Sequence, residues 1–232
     1  MGKLNVKERE ICVPGQVLAE GMDYIPSDYT FRDKEDIIAS QLGLINIEGR
    51  AIKVIPLVGK YNPQAGDLVI GKIIDMSMSN WFVDIGFMYD AGLSIREVPE
   101  FIDRGADLTQ YYGFNDVVLA KVVNVVRSKM VDLSMKGPGL FKLRGGRIVK
   151  ITPFKVPRVI GKQGSMITMI KDKTHCKIIV GQNGMIWING EDFKSEDVAI
   201  RAIKMIDKFS HTEGLTDKVN KFLDEEMKNG IQ

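Results

Sequence analysis

The chain has 232 residues, 44% of them hydrophobic and 27% charged, a balance that supports packed cores and excludes a disordered chain. Its apolar runs, such as Val117 to Ala120, are far too short to cross a bilayer. The opening stretch from Met1 to Glu10 is charged with no apolar segment after it, so no secretory signal is read and a cytoplasmic protein without a membrane partner is expected.

In chain order, three segments separate by punctuation. The first runs to Tyr61. It holds Val13-Pro14-Gly15-Gln16-Val17-Leu18, a turn at Pro26-Ser27-Asp28, short apolar pieces at Ile37 to Ser40 and Gly43 to Ile47, and a strand from Ala51 that ends near Pro56. This reads as a small β-structure with tight turns. The second segment opens at Asn62-Pro63-Gln64-Ala65-Gly66-Asp67. Strand-like pieces follow at Leu68 to Asp75, Asn80 to Ile85, Ala91 to Ile95, Asp116 to Val126 and Met130 to Ser134, with a longer loop from Phe101 to Tyr112. Short strands at this spacing predict a small closed barrel.

Gly137-Pro138-Gly139 and Gly145-Gly146 bracket a basic joint to the third segment. There the pattern predicts a strand from Arg147, a short helix from Lys155 to Ile160 and a loop at Gly161-Lys162-Gln163-Gly164. A helix from Ser165 to Thr174 and strands at Lys177 to Val180 and Met185 to Ile188 come next. Pro157 is tolerated in the first turn of its helix. The Asn183-Gly184 pair between two apolar runs is a hairpin signal. Ser195 is the expected N-cap of a long helix striped by Val198, Ala202, Met205 and Phe209. Thr216 is the expected cap of a last helix with Val219, Phe222, Leu223 and Met227 on one face and Gly230 at its end.

The two cysteines, Cys12 and Cys176, and the two histidines, His175 and His211, are scattered. That spacing fits neither a zinc site nor a Cys/His nucleophile pair, and buried thiols in a reducing compartment are expected. No Walker loop and no local Ser/His/Asp signature is present. The expectation is therefore no catalytic site, no metal and no cofactor. The net charge of +2 hides an asymmetry. From Lys136 to Gly190 eleven Lys and Arg face one acid, Asp172, a net +10, while the rest of the chain carries 21 against 29, a net −8. A local excess of this size suits a polyanion, because each base that meets a phosphate releases counterions.

The third segment, with Val159-Ile160-Gly161-Lys162-Gln163-Gly164-Ser165-Met166-Ile167 between two short helices, resembles a KH domain of type I, with its extra helix at the C-terminal end. Two glycines let the loop approach phosphates, and the following helix offers free N–H groups. Such a loop clamps the backbone of about four nucleotides. Arg158, Gly161, Lys162, Gln163 and Gly164 are its candidate RNA contacts. Gly66-Asp67-Leu68-Val69-Ile70-Gly71-Lys72-Ile73, Trp81-Phe82-Val83-Asp84-Ile85-Gly86 and Val131-Asp132-Leu133-Ser134-Met135-Lys136 resemble three strands of an S1 domain, an OB-type barrel. Phe82 falls on one of that family's stacking positions. The partner aromatic is replaced by Ser79, and the usual histidine is missing with Arg96 nearby. Lys72, Phe82, Arg96, Lys121, Arg127 and Lys129 are the candidate RNA contacts there.

The order of segments, together with Val54-Ile55-Pro56-Leu57-Val58-Gly59-Lys60-Tyr61-Asn62-Pro63 and the turn Gly181-Gln182-Asn183-Gly184, resembles the RNA-binding cap subunits of the exosome, of the three-domain type found in archaea. The resemblance implies an α+β multidomain chain. Its parts are a ring-docking N-terminal β domain over 1–61, an S1 domain over 62–137 and a KH domain with a C-terminal helix over 138–232. It implies a structural role for the turn of Gly181, Asn183 and Gly184. It also implies single-stranded RNA as ligand, and three copies on a hexameric ring of RNase PH-like subunits that degrade RNA 3′ to 5′. The alternatives are a ring scaffold with vestigial RNA surfaces and an RNA-binding transcription factor.

Overall fold

The computed structural model describes residues 2–103, 105–210, 212 and 214–229, with side chains described to residue 226. The chain divides into two compact units, Met1–Gly59 and Lys60–Gln232. The helix end expected at Gly230, the side chain of Met227 and His211 lie outside the described residues.

The first unit is built of β1 (Lys3–Leu4), β2 (Ile11–Cys12), β3 (Val17–Glu20), β4 (Ile25–Pro26), β5 (Thr30–Asp33), β6 (Asp36–Ala39), β7 (Gly43–Glu48) and β8 (Ala51–Pro56). They form two sheets, in the orders β1-β3-β6-β5 and β2-β7-β8-β4. Alternation decides what each strand buries. In β8, Ile52 and Val54 point into a core shared with Cys12, Leu18, Ile37 and Ile45. The opposite parity points outward, and the register puts Ile11, Leu44 and Ile55 side by side across three strands. Ile11 is 61% exposed and Ile55 47%.

The second unit begins with a barrel of β9 (Leu68–Met76), β10 (Asn80–Asp84), β11 (Ala91–Ser94), β12 (Val117–Val125) and β13 (Val131–Ser134). The pairings β9–β10, β10–β11, β11–β13, β13–β12 and β12–β9 close it, and only β11–β13 is parallel. A short β14 (Lys142–Leu143), which no sequence pattern announces, extends β12 on its outer side. The interior holds Val69, Ile73, Trp81, Val83, Leu93, Val118 and Leu133. The long loop after β11 contains a 3₁₀ turn at Leu108–Gln110, and its Tyr112 packs edge-on against Trp81. The Trp81 Nε1–H donates to the Tyr112 carbonyl at 2.9 Å.

The rest of the unit runs β15 (Arg147–Lys150), α1 (Val156–Ile160), α2 (Ser165–Thr174), β16 (Lys177–Val180), β17 (Met185–Asn189), α3 (Phe193–Phe209) and α4 (Leu215–Asn229). The antiparallel sheet β15-β17-β16 has the order of a type I KH domain. One core joins it to all four helices through residues such as Val149, Val159, Ile170, Ile186, Ile203, Val219 and Leu223. Two helix starts differ from expectation. The N-cap of α3 is Asp192, whose carboxylate accepts the Ser195 N–H at 2.6 Å. Ser195 is inside the helix because Asp192, three residues earlier, already caps it, and Ser195 supplies the N–H that Asp192 accepts. Helix α4 starts at Leu215, which places Thr216 in the first turn.

A specific joint locks barrel to sheet. Strand β10 ends at Asp84, opposite Lys72, so on the edge away from β12 the polar groups of Leu68 and Ile70 on β9 have no strand beside them. The turn Gly181-Gln182-Asn183-Gly184 takes that place. Gln182 N–H donates to the Leu68 carbonyl at 2.8 Å, and its side-chain oxygen accepts the Leu68 N–H at 2.9 Å. The Asn183 amide donates to the carbonyls of Ile70 at 2.7 Å and Ile85 at 2.9 Å, and accepts the Ile70 N–H at 3.3 Å. Gly184 has φ +79 and a Cβ there would lie 2.4 Å from the Ile151 carbonyl, so no other residue fits. Ile70, Leu119, Leu143, Met185 and Trp187 pack around the joint.

Candidate nucleic-acid interface

On the barrel, Phe82 points outward from β10 and is 37% exposed. The register sets it between Asp75 on β9 and Gly92 on β11, and Gly92 next to Asp132 on β13. A shallow cavity of about 400 Å³ opens over this row, lined by Asn80, Phe82, Gly92, Ser94, Asn124 and Asp132 among others. Ser94 also borders a second hollow of about 620 Å³ that contains Ser79 and Arg96. Phe82 and Arg96 therefore flank one track that crosses Ser94. The space left by Ser79 is part of that hollow rather than filled by an aromatic ring.

The other barrel candidates are all exposed but lie apart. Lys72 sits opposite Val117, and Lys121 opposite Leu68, at the two ends of one ladder. Four residues of strand put them roughly 13 Å apart. Arg127 and Lys129 occupy the hairpin before β13, and Lys129 has φ +67. Because β11 and β13 run parallel from Ala91 and Val131, that hairpin shares a barrel end with the β10–β11 loop. That loop carries the exposed side chains Met88 and Tyr89.

In the third segment, Gly161 has φ +75, and a Cβ there would meet Met166 at 2.7 Å. Gln163 and Gly164 are also left-handed, with φ 53 and 80. The loop thus turns sharply between α1 and α2 and leaves Lys162 and Gln163 exposed. Gly164 gives α2 no side-chain cap; the Ser165 N–H is taken by the Lys162 carbonyl, and the positive end of the helix dipole lies at the loop. Arg158 is exposed on α1.

The charge excess read from the sequence is smaller in the folded chain. Lys142 pairs with Asp116, Lys155 with Asp207, Lys173 with Asp224 and Arg147 with Asp197. Four of the eleven bases are thereby answered by acids that lie outside the basic stretch. Arg158 and Lys162 have no acid partner among the described residues.

Cys12 and Cys176 are both buried. Burial raises each thiol pKa above its ordinary value, which suppresses thiolate chemistry. Burial and the neighbouring carboxylates of Asp67 and Glu100 likewise raise Tyr61 and Tyr112. Among the described residues no group of His, Cys, Asp or Glu is placed to hold a metal ion, and no helix is long and apolar enough to cross a membrane.

Sequence reasoning passed over Gln182 and the residues around Phe82. Gln182 meets Leu68 across 114 residues, and no local signal encodes that. Gly92 and Asp132 become neighbours of Phe82 only through the register, which strand alternation alone leaves open.

Comparison with known proteins gives a consistent picture. Residues 60–105 match the family described as "RRP4, S1 domain", and residues 146–193 match the KH domain family. The chain is 48% identical over 221 residues to the exosome complex component Rrp4 of Methanothermus fervidus, covering 95% of this chain and 97% of that protein. It is 47% identical over 227 residues to the same component of Pyrococcus abyssi, covering 96% and 85%. A crystal structure assigned as an exosome complex RNA-binding protein superposes with a TM-score of 0.68 at 39% identity, covering 74% of this chain and 99% of that one.

Proposed function

Because the chain belongs to the family of the exosome complex component Rrp4, we propose that it acts as the non-catalytic, RNA-binding cap of an exosome, in the cytoplasm. The S1 barrel and the KH module capture single-stranded RNA, and three copies pass it to a hexameric ring of RNase PH-like subunits for 3′-to-5′ degradation. The modules correspond to residues 1–61, 62–137 and 138–232. The observation that carries this reading is the pairing of two RNA-type surfaces within one unit. One is the Phe82–Ser94–Arg96 track; the other is the open loop from Gly161 to Gly164. The Asn183 joint fixes the two surfaces relative to each other.

Fixing them matters energetically. Once one surface holds the strand, the other meets it at high effective concentration, and no ordering of a linker opposes the second contact. Three caps around one pore extend the same effect, so no single site has to bind tightly. Docking on the ring falls to the N-terminal unit, whose outward row of Ile11, Leu44 and Ile55 is an apolar surface of the kind subunit interfaces cover.

The test is a titration of the full chain with labelled single-stranded RNA. Phe82→Ala and Arg96→Ala each weaken binding, the first by removing a stacking platform. Wild-type affinity in both variants would leave the scaffold reading, in which the barrel surface is vestigial.

A further inference from the structure

We propose that Gly92 holds open a pocket for one RNA base above Phe82, and that Asp132 reads an exocyclic amino group of that base. The inference rests on the barrel binding RNA and adds what it selects.

Gly92 is not required by the backbone or by packing. Its φ is not among the positive values of the chain. A Cβ built on it would approach only the Val131 carbonyl, at 3.9 Å. Glycine in the middle of a strand weakens that strand, and it commonly marks a place where a ligand comes close. Here the register explains its presence. Gly92 stands between Phe82 on one side and Asp132 on the other. Cross-strand neighbours lie roughly 5 Å apart, so any larger side chain would fill the space over the Phe82 ring. With glycine the ring face and the carboxylate border one cavity of about 400 Å³.

The polar groups of that cavity decide which part of a nucleotide enters. Asp132 and Glu97 line it, and neither has a cation partner among the described residues. Two free carboxylates repel phosphate, so the base enters and the backbone follows Arg96 across Ser94. The Asn124 amide donates to Asp132 Oδ2 at 3.3 Å, which orients the carboxylate and leaves Oδ1 to accept from the ligand. A carboxylate accepts and does not donate. It suits the amino group of adenine, cytosine or guanine. Uracil offers a single N–H flanked by two carbonyl oxygens, which the carboxylate repels.

The experiment is fluorescence anisotropy of the full chain with short labelled oligomers of adenylate, cytidylate and uridylate, with thermal melts run in parallel. Wild type is expected to bind adenylate and cytidylate at least about threefold more tightly than uridylate. Gly92→Val is expected to keep the melting transition, since valine favours strands. It is expected to weaken adenylate binding about fivefold or more. Asp132→Asn is expected to narrow the adenylate-to-uridylate ratio, because an amide can donate to uracil. If Gly92→Val folds and binds adenylate like wild type, or if Asp132→Asn leaves the ratio unchanged, the pocket is overturned. Loss of affinity in Arg96→Ala or Lys162→Asp in the same assay would then show that RNA binding survives without it. If wild type binds none of the oligomers, the RNA-binding reading falls together with the pocket.

Discussion

Replacing Asn183 by alanine removes three hydrogen bonds that tie the KH module to the barrel. Asn183 is 6% exposed, so its partners do not simply turn to water. The Ile70 N–H and the Ile70 and Ile85 carbonyls would be left facing a void. At about 1 kcal/mol net per bond, and more for each group left unsatisfied, the expected loss is about 3 kcal/mol. Water entering the joint would reduce the loss to about 2 kcal/mol. For a domain of roughly 150–250 residues this lowers the thermal midpoint by about 6–12 °C. Aspartate at the same position is expected to be no better, since it accepts the Ile70 N–H but opposes two carbonyl oxygens. Gln182→Ala should cost less, because its main-chain bond to Leu68 persists. The assay is urea unfolding followed by near-UV and far-UV dichroism, with amide exchange at Ile70 as a local readout. A loss under about 0.5 kcal/mol for Asn183→Ala, with Ile70 still protected, would refute the view that this amide holds the joint.

Two further outcomes follow from the same structure. Lys162→Asp combined with Gln163→Asp is expected to weaken RNA binding with the melting transition intact, and to lower the salt slope by about 0.7 for each phosphate that is no longer neutralised; unchanged affinity in a filter-binding titration would remove the loop from the interface. Tyr61 and Tyr112 are held protonated in the fold, by burial and by Asp67 and Glu100. With folded pKa values raised above the ordinary value of about 10, their contribution is complete below that pH and is lost as pH rises beyond it. Stability should therefore fall on the alkaline side. Tyr61→Phe with Tyr112→Phe should flatten that fall, as read from urea midpoints, whereas an unaltered alkaline limb would contradict the assignment.

Local order is largely legible in the sequence. Helix α2 runs Ser165–Thr174 and strand β16 Lys177–Val180, as the periodicity and the glycine loop imply. The barrel strands fall within a residue or two of their apolar runs because each is bounded by turn residues. The departures have physical causes. Asp192 and Ser195 are both capable caps three residues apart, and only the folded geometry shows the carboxylate taking the Ser195 N–H. Strand β14 is two residues long and has no pattern of its own. Long-range pairing is not legible at all. The acids that answer Lys142, Lys155 and Lys173 are remote in sequence, and the strand that β9 lacks is supplied by a turn more than 100 residues away. The candidate site divides the same way. Phe82 and the loop from Gly161 to Gly164 carry recognisable residue types. The setting of Phe82 between Gly92 and Asp75 emerges only from the register.

RNA degradation by a reconstituted phosphorolytic ring, assayed with and without this protein and beside the protein alone, decides whether the chain feeds RNA. The expected result is that the protein alone is inert and that it speeds or redirects degradation by the ring. Joining the ring without any change in RNA binding or degradation would make it a scaffold, and degradation by the isolated chain would contradict its placement outside catalysis.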